Sequence, residues 1–159
     1  MRRTMLAVGA AALAATIGVT GAVAASASTM TEHFSIVSTS ATSNVRSVIA
    51  TGAFTAGGTD ISGNTVDKMQ FPGGNLTVTH KGPVKVTTNP KTCLVTETGT
   101  GTYSVSGGTG IYRGISGSGT FKLSVMLVEG RSSGGKCSMN VKPAAFQFMV
   151  DASGPVSLP

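Results

Sequence analysis

Apolar residues fall on alternate positions through much of this chain. Phe121, Leu123, Val125 and Leu127 occupy every second position of one segment, and Tyr103 and Val105 flank Ser104 in another. A period of two bounded by glycine predicts antiparallel strands with one buried face. Candidate strands cover 33–40, 45–55, 65–71, 75–81, 84–88, 93–105, 120–129 and 138–150. Turn residues separate them: Gly57-Gly58, Gly63-Asn64, Pro72-Gly73-Gly74, Gly82-Pro83, Asn89-Pro90 and Gly134-Gly135. Pro143 predicts a break, a bulge or an edge in the last strand. No stretch repeats apolar residues at helical spacing over three turns. The prediction is an all-β fold, a single antiparallel up-and-down barrel of about eight strands, because closure removes exposed edges.

Residues 1–27 read differently, as a cleavable N-terminal signal helix. Arg2 and Arg3 form a short positive head, and an alanine- and glycine-rich apolar run follows to Val23. Ala25-Ser26-Ala27 offers cleavage after Ala27, and Ala22-Val23-Ala24 offers it after Ala24. Almost nothing precedes the arginine pair, which favours the general secretory route over the twin-arginine one. The expected mature chain, 28–159, has the length of one domain. It is expected outside the cell and free of the membrane once the signal is cut.

Charge and cysteine content sharpen this picture. Part of the formal net charge of +6 leaves with Arg2 and Arg3, and the other cations are scattered without interleaved aromatics. That pattern argues against a nucleic-acid surface. Cys93 and Cys137 are the only cysteines. An even count in an exported chain predicts a disulfide, expected to tie the first strand of the glycine-rich hairpin to the last long strand.

That hairpin spans 99–121, GTGTYSVSGGTGIYRGISGSGTF. Gly107, Gly108, Gly110, Gly114, Gly117 and Gly119 are expected to be structural, supplying the positive φ angles of tight turns. The run is similar to a hairpin of the allene oxide cyclase and dirigent-type β-barrels and their secreted bacterial relatives. Gly52-Ala53-Phe54 and Asp60 with Gly63 are compatible with an early strand and turn of that fold. The resemblance implies a small barrel whose lumen holds an apolar small molecule. Its plant members guide a reactive intermediate largely by pocket shape. They also often assemble, which raises a homo-oligomer through Met126 and Val128; residues 28–43 are the alternative cover for those two side chains. Tyr112 is expected at the barrel rim and Arg113 in solvent.

Candidate chemistry is sparse. His33 and His80 are the only histidines, and no metal-ligand spacing surrounds either, so no metal or cofactor is expected. His80 shares strand parity with Leu76 and Val78, which would aim it into the barrel as a hydrogen-bond partner or base. A rim position beside Lys81 and Gly82 is the alternative. Glu97 shares parity with Cys93 and Val95; the opposite parity would turn Leu94, Thr96 and Thr98 inward and leave Glu97 in solvent. Tyr103 is the third ligand-binding candidate. Neither a phosphate loop nor any catalytic residue is assigned. The expected function is a secreted barrel that binds a small apolar ligand or serves as a non-catalytic extracellular domain. Its rivals are a lumenal isomerase or cyclase, and a protein-binding β-sandwich acting as inhibitor or adhesin.

Overall fold

The computed structural model describes residues 29–158; the signal segment expected at 1–27 lies outside them. Eleven strands follow in order: β1 (Thr29–Ser38), β2 (Val45–Thr51), β3 (Ala56–Ile61), β4 (Val66–Phe71), β5 (Gly74–Lys81), β6 (Val84–Asn89), β7 (Leu94–Ser106), β8 (Ser116–Val128), β9 (Gly130–Arg131), β10 (Cys137–Ser138) and β11 (Ala145–Ser157). A single 3-10 turn, Gly110–Tyr112, interrupts the β7–β8 connection.

The main sheet runs β5-β4-β3-β2-β1-β11-β8-β7-β6, and β5 also pairs with β7. That last pairing closes the sheet. Lys81 faces Thr102 and Val84 faces Gly99, so β5 and β6 hold one continuous register against β7 across the Gly82-Pro83 kink. Counted as one stave, they make a closed eight-stranded antiparallel barrel in which sequence neighbours pair. Closure rules out the β-sandwich architecture.

The alternation expected from the sequence sorts the side chains. Phe34, Ile36, Val48, Ala50, Met69, Leu76, Val78, Val105 and Val156 are buried on the inner face. One end of the barrel is plugged. Phe54 from the β2–β3 turn packs 4.9 Å from Tyr112 and 5.6 Å from Phe71, centroid to centroid, and 6.3 Å from Phe34. Tyr112 therefore belongs to the buried plug, while Arg113 is exposed as expected.

The opposite end is open and uneven. Strands β7, β8 and β11 have 13 residues each, whereas β3 and β4 have six. The longer strands, with β6, rise beyond the short wall as a projecting flap. A disulfide between Cys93 and Cys137, 44 positions apart, holds its tip. Arg131 adds bonds from Nη2 to the Lys91 carbonyl at 2.9 Å and from Nη1 to the Gly135 carbonyl at 2.7 Å. The bridge thus joins the turn before β7 to the short β9–β10 hairpin, not to the last long strand.

Several boundaries differ from the pattern-based expectation, each for a packing reason. Gly57 and Gly58 lie within β3, which was expected to be a turn, because β2 and β4 bond both its edges. Gly117 and Gly119 are strand residues of β8, whereas Gly107, Gly110 and Gly114 do adopt positive φ. A Cβ on Gly108 would strike the Tyr112 carbonyl. Pro143 falls in the connection before β11, and the strand continues to Ser157 instead of ending at Val150. Residues Thr29–Ser38 are a barrel stave paired with β2 and β11, so they do not cover Met126, which stays exposed. Among the described residues no helix is long and apolar enough to cross a membrane.

Candidate functional site

Inward-pointing positions of the open half enclose a cavity of about 450 Å³. One wall is apolar: Phe34 and Ile36 of β1, Leu123 of β8, and Phe148, Val150 and Ala152 of β11. Across from it, Arg46 of β2, Asp67 of β4 and His80 of β5 set polar groups beside the apolar Met69 and Val78, and Tyr103 of β7 lines the cavity with them. The β3–β4 turn, Ser62 to Thr65, borders the mouth. The volume falls within the range of small-molecule pockets, and so does the pairing of apolar walls with a few convergent polar groups.

His80 and Tyr103 are directly opposed across β5 and β7. The His80 Nε2 atom lies 3.4 Å from Asp67 Oδ2, but without hydrogen-bond geometry. Asp67 is held from its other oxygen, where Oδ1 accepts the Gly63 amide at 2.8 Å. The Tyr103 hydroxyl is buried and has no partner. Burial, followed by the nearby Glu32 charge, pushes its pKa up to about 12, so it stays a protonated donor.

Arg46 sits at the rim. Its guanidinium lies 3.7 Å over the Phe148 ring and 3.8 Å from Asp60 Oδ2. Asp60 is fully buried, and neither carboxylate oxygen accepts a hydrogen bond. Burial first, and the Asp67 charge second, raise its pKa to about 7, while Arg46 opposes the rise. Desolvation lowers the Arg46 pKa from its ordinary value. Deeper, Glu32 Oε2 accepts the Phe54 amide at 3.0 Å while Oε1 is unpartnered. Burial raises the Glu32 pKa despite the backbone bonds.

The three ligand-binding candidates separate here. His80 and Tyr103 share the lumen. Glu97 has the inward parity of Val95 but lies above the rim, in a smaller depression of about 220 Å³ with Arg46, Leu127 and Phe146. Sequence reasoning missed Arg46, Asp60 and Asp67. Two of them carried a signal: Asp67 shares parity with Met69 and Phe71, and Arg46 with Val48 and Ala50. A charged side chain on an apolar parity is a candidate site residue because its burial is costly. Asp60 was hidden in the unrecognised β3. His33 is exposed on the outer face, and among the described residues no cluster of three or more His, Cys, Asp or Glu is placed to hold a metal ion.

No protein-family model, curated protein or solved structure matches this chain.

Proposed function

We propose that this protein is exported and binds a small, mostly apolar molecule inside its barrel. The observation that carries the reading is the lumen itself: about 450 Å³, plugged by aromatics at one end and open at the other. A barrel built only for stability fills its interior with side chains, whereas here the upper half is left empty. The Cys93–Cys137 disulfide is compatible with an oxidising, extracellular location. Native mass spectrometry on gently purified protein tests the reading. A stoichiometric adduct that disappears on denaturation supports it. A clean protein mass, together with failure of the lumen to take up neutral apolar probes, overturns it.

One observation favours a second reading, a lumenal isomerase or cyclase of the allene oxide cyclase or dirigent kind. Asp67 and His80 form a carboxylate–imidazole contact that faces the cavity, an arrangement suited to moving a proton on a bound molecule. Incubating the recovered ligand with the parent and with H80A and D67N variants tests it. Equal product profiles for all three would leave binding alone.

A further inference from the structure

Two residues that line the lumen and face each other across one strand pair each carry a buried polar atom without a protein partner. Tyr103 is 4% exposed, lines the cavity, and its hydroxyl makes no hydrogen bond. Nε2 of His80, its cross-strand neighbour, is equally unpartnered. Buried polar atoms without partners are rare and costly in folded proteins, so two of them on residues of a cavity wall mark where a ligand atom belongs.

The surroundings decide the charge of that atom. A carboxylate acts on each of the two groups, and besides Arg46 the one cation lining the cavity is Lys81, which is exposed. Glu32 acts electrostatically on the Tyr103 hydroxyl, and Asp67 lies 3.4 Å from His80 Nε2. The Arg46 cation is already engaged with the Phe148 ring and Asp60 at the rim. An anionic head group placed between Tyr103 and His80 would meet like charge on both sides. A neutral oxygen would not, and it can accept from the phenol. The rest of such a molecule meets Phe34, Ile36, Leu123 and Val150.

Resting on the lumen-binding reading above, we infer that the natural ligand is a neutral apolar molecule bearing one carbonyl-type oxygen, which accepts a hydrogen bond from Tyr103 beside His80.

A matched probe series tests this by displacement of fluorescent N-phenyl-1-naphthylamine from the full mature chain. The competitors are naphthalene, 1-acetylnaphthalene and 1-naphthoate, which share a ring system and differ in the oxygen group. The ketone is expected to bind about tenfold more tightly than the hydrocarbon or the carboxylate, the scale of one satisfied buried hydrogen bond. Y103F is expected to erase the preference for the ketone over naphthalene. Its melting temperature and circular dichroism confirm that it is folded, and H80F serves as a second variant with the same expected direction. Equal binding of all three competitors to the parent, tightest binding of the carboxylate, or a ketone preference that survives in Y103F overturns the inference while the lumen reading stands. If the parent binds neither the fluorophore nor any competitor, the lumen reading itself fails and the inference falls with it.

Discussion

The ring of Tyr103 lies across Gly119, its cross-strand partner: a Cβ on that glycine would stand 2.7 Å from Tyr103 Cε1. Two residues along, the arrangement is reversed. Phe121 faces Gly101, where a Cβ would be 2.6 Å from Phe121 Cε1. The hairpin sequence thus encodes two reciprocal aromatic–glycine pairs, each laying a ring along the sheet where a neighbouring side chain would have stood. Tyr103 and Phe121 both line the lumen as a result.

Gly119→Ala is therefore expected to destabilise the protein, although the glycine sits in a strand and not in a strained turn. Its methyl group would also meet the Ser153 carbonyl, so both ring and backbone must move. A loss of about 1–3 kcal/mol is the usual scale of overpacking, readable as a lower urea midpoint. Probe affinity is expected to fall as well, since Tyr103 is displaced. An unchanged midpoint would show that the ring is free to move and that the pair is not a constraint.

Asp60 makes stability depend on pH with a definite sign. Its folded pKa, about 7, exceeds the ordinary value of 3.8, so the folded state binds the proton more tightly than the unfolded chain. Its contribution is fully present below about pH 4 and is lost as pH rises through about 7, a slope worth roughly 4 kcal/mol in all. Glu32 shifts in the same direction. Urea denaturation from pH 4 to 8 is expected to show this decline, and Asp60→Asn to flatten it. A parent and D60N with parallel profiles would count against the assignment.

Arg46→Met removes the cation beside Asp60 and the group stacked on Phe148. The buried carboxylate then has no counter-charge, a change typically costing about 3–5 kcal/mol. The loss is expected to be larger at pH 8 than at pH 5, because the Asp60 proton relieves it. The double variant R46M/D60N is expected to recover part of the difference at pH 8, which a double-mutant cycle measures.

The disulfide acts on the flap. Closing a loop of 44 positions is worth roughly 4 kcal/mol by chain entropy. Replacing both cysteines by serine is expected to lower the melting temperature and to speed amide exchange in β6, β9 and β10. Exchange in β1, β2 and β4, which have no contact with the bridge, is expected to change least. Uniform acceleration throughout the barrel would mean that flap and barrel unfold as one unit.

Much of the barrel was legible in the sequence, because period-two burial is a local signal. It located parts of all eight staves except β3, whose A-G-G-T-D-I sequence carries almost no strand propensity. That segment is a strand because its neighbours bond both edges and because the Phe71 ring lies over Gly58, where a Cβ would come 2.8 Å from Cδ1. Missing β3 also concealed Asp60. His80 was found by its parity, since His80, Val78 and Leu76 alternate on one strand, whereas the parity of Glu97 fitted either face.

The sequence by itself determined that strands form and that two cysteines are available to each other, because the first depends on local conformation and the second on count; which glycines turn the chain was settled by packing, since Gly57, Gly58, Gly117 and Gly119 lie in strands. Only the tertiary structure decided which charges face inward together. Arg46, Asp60, Asp67, His80 and Tyr103 come from five different strands; β2 to β5 are neighbours in the sheet, and the pairing of β5 with β7 brings Tyr103 to the other four. It likewise decided that the lower half is filled by Phe54, Phe71 and Tyr112 while the upper half stays open. Packing is a sum over non-local neighbours, and no window of residues along the chain contains it.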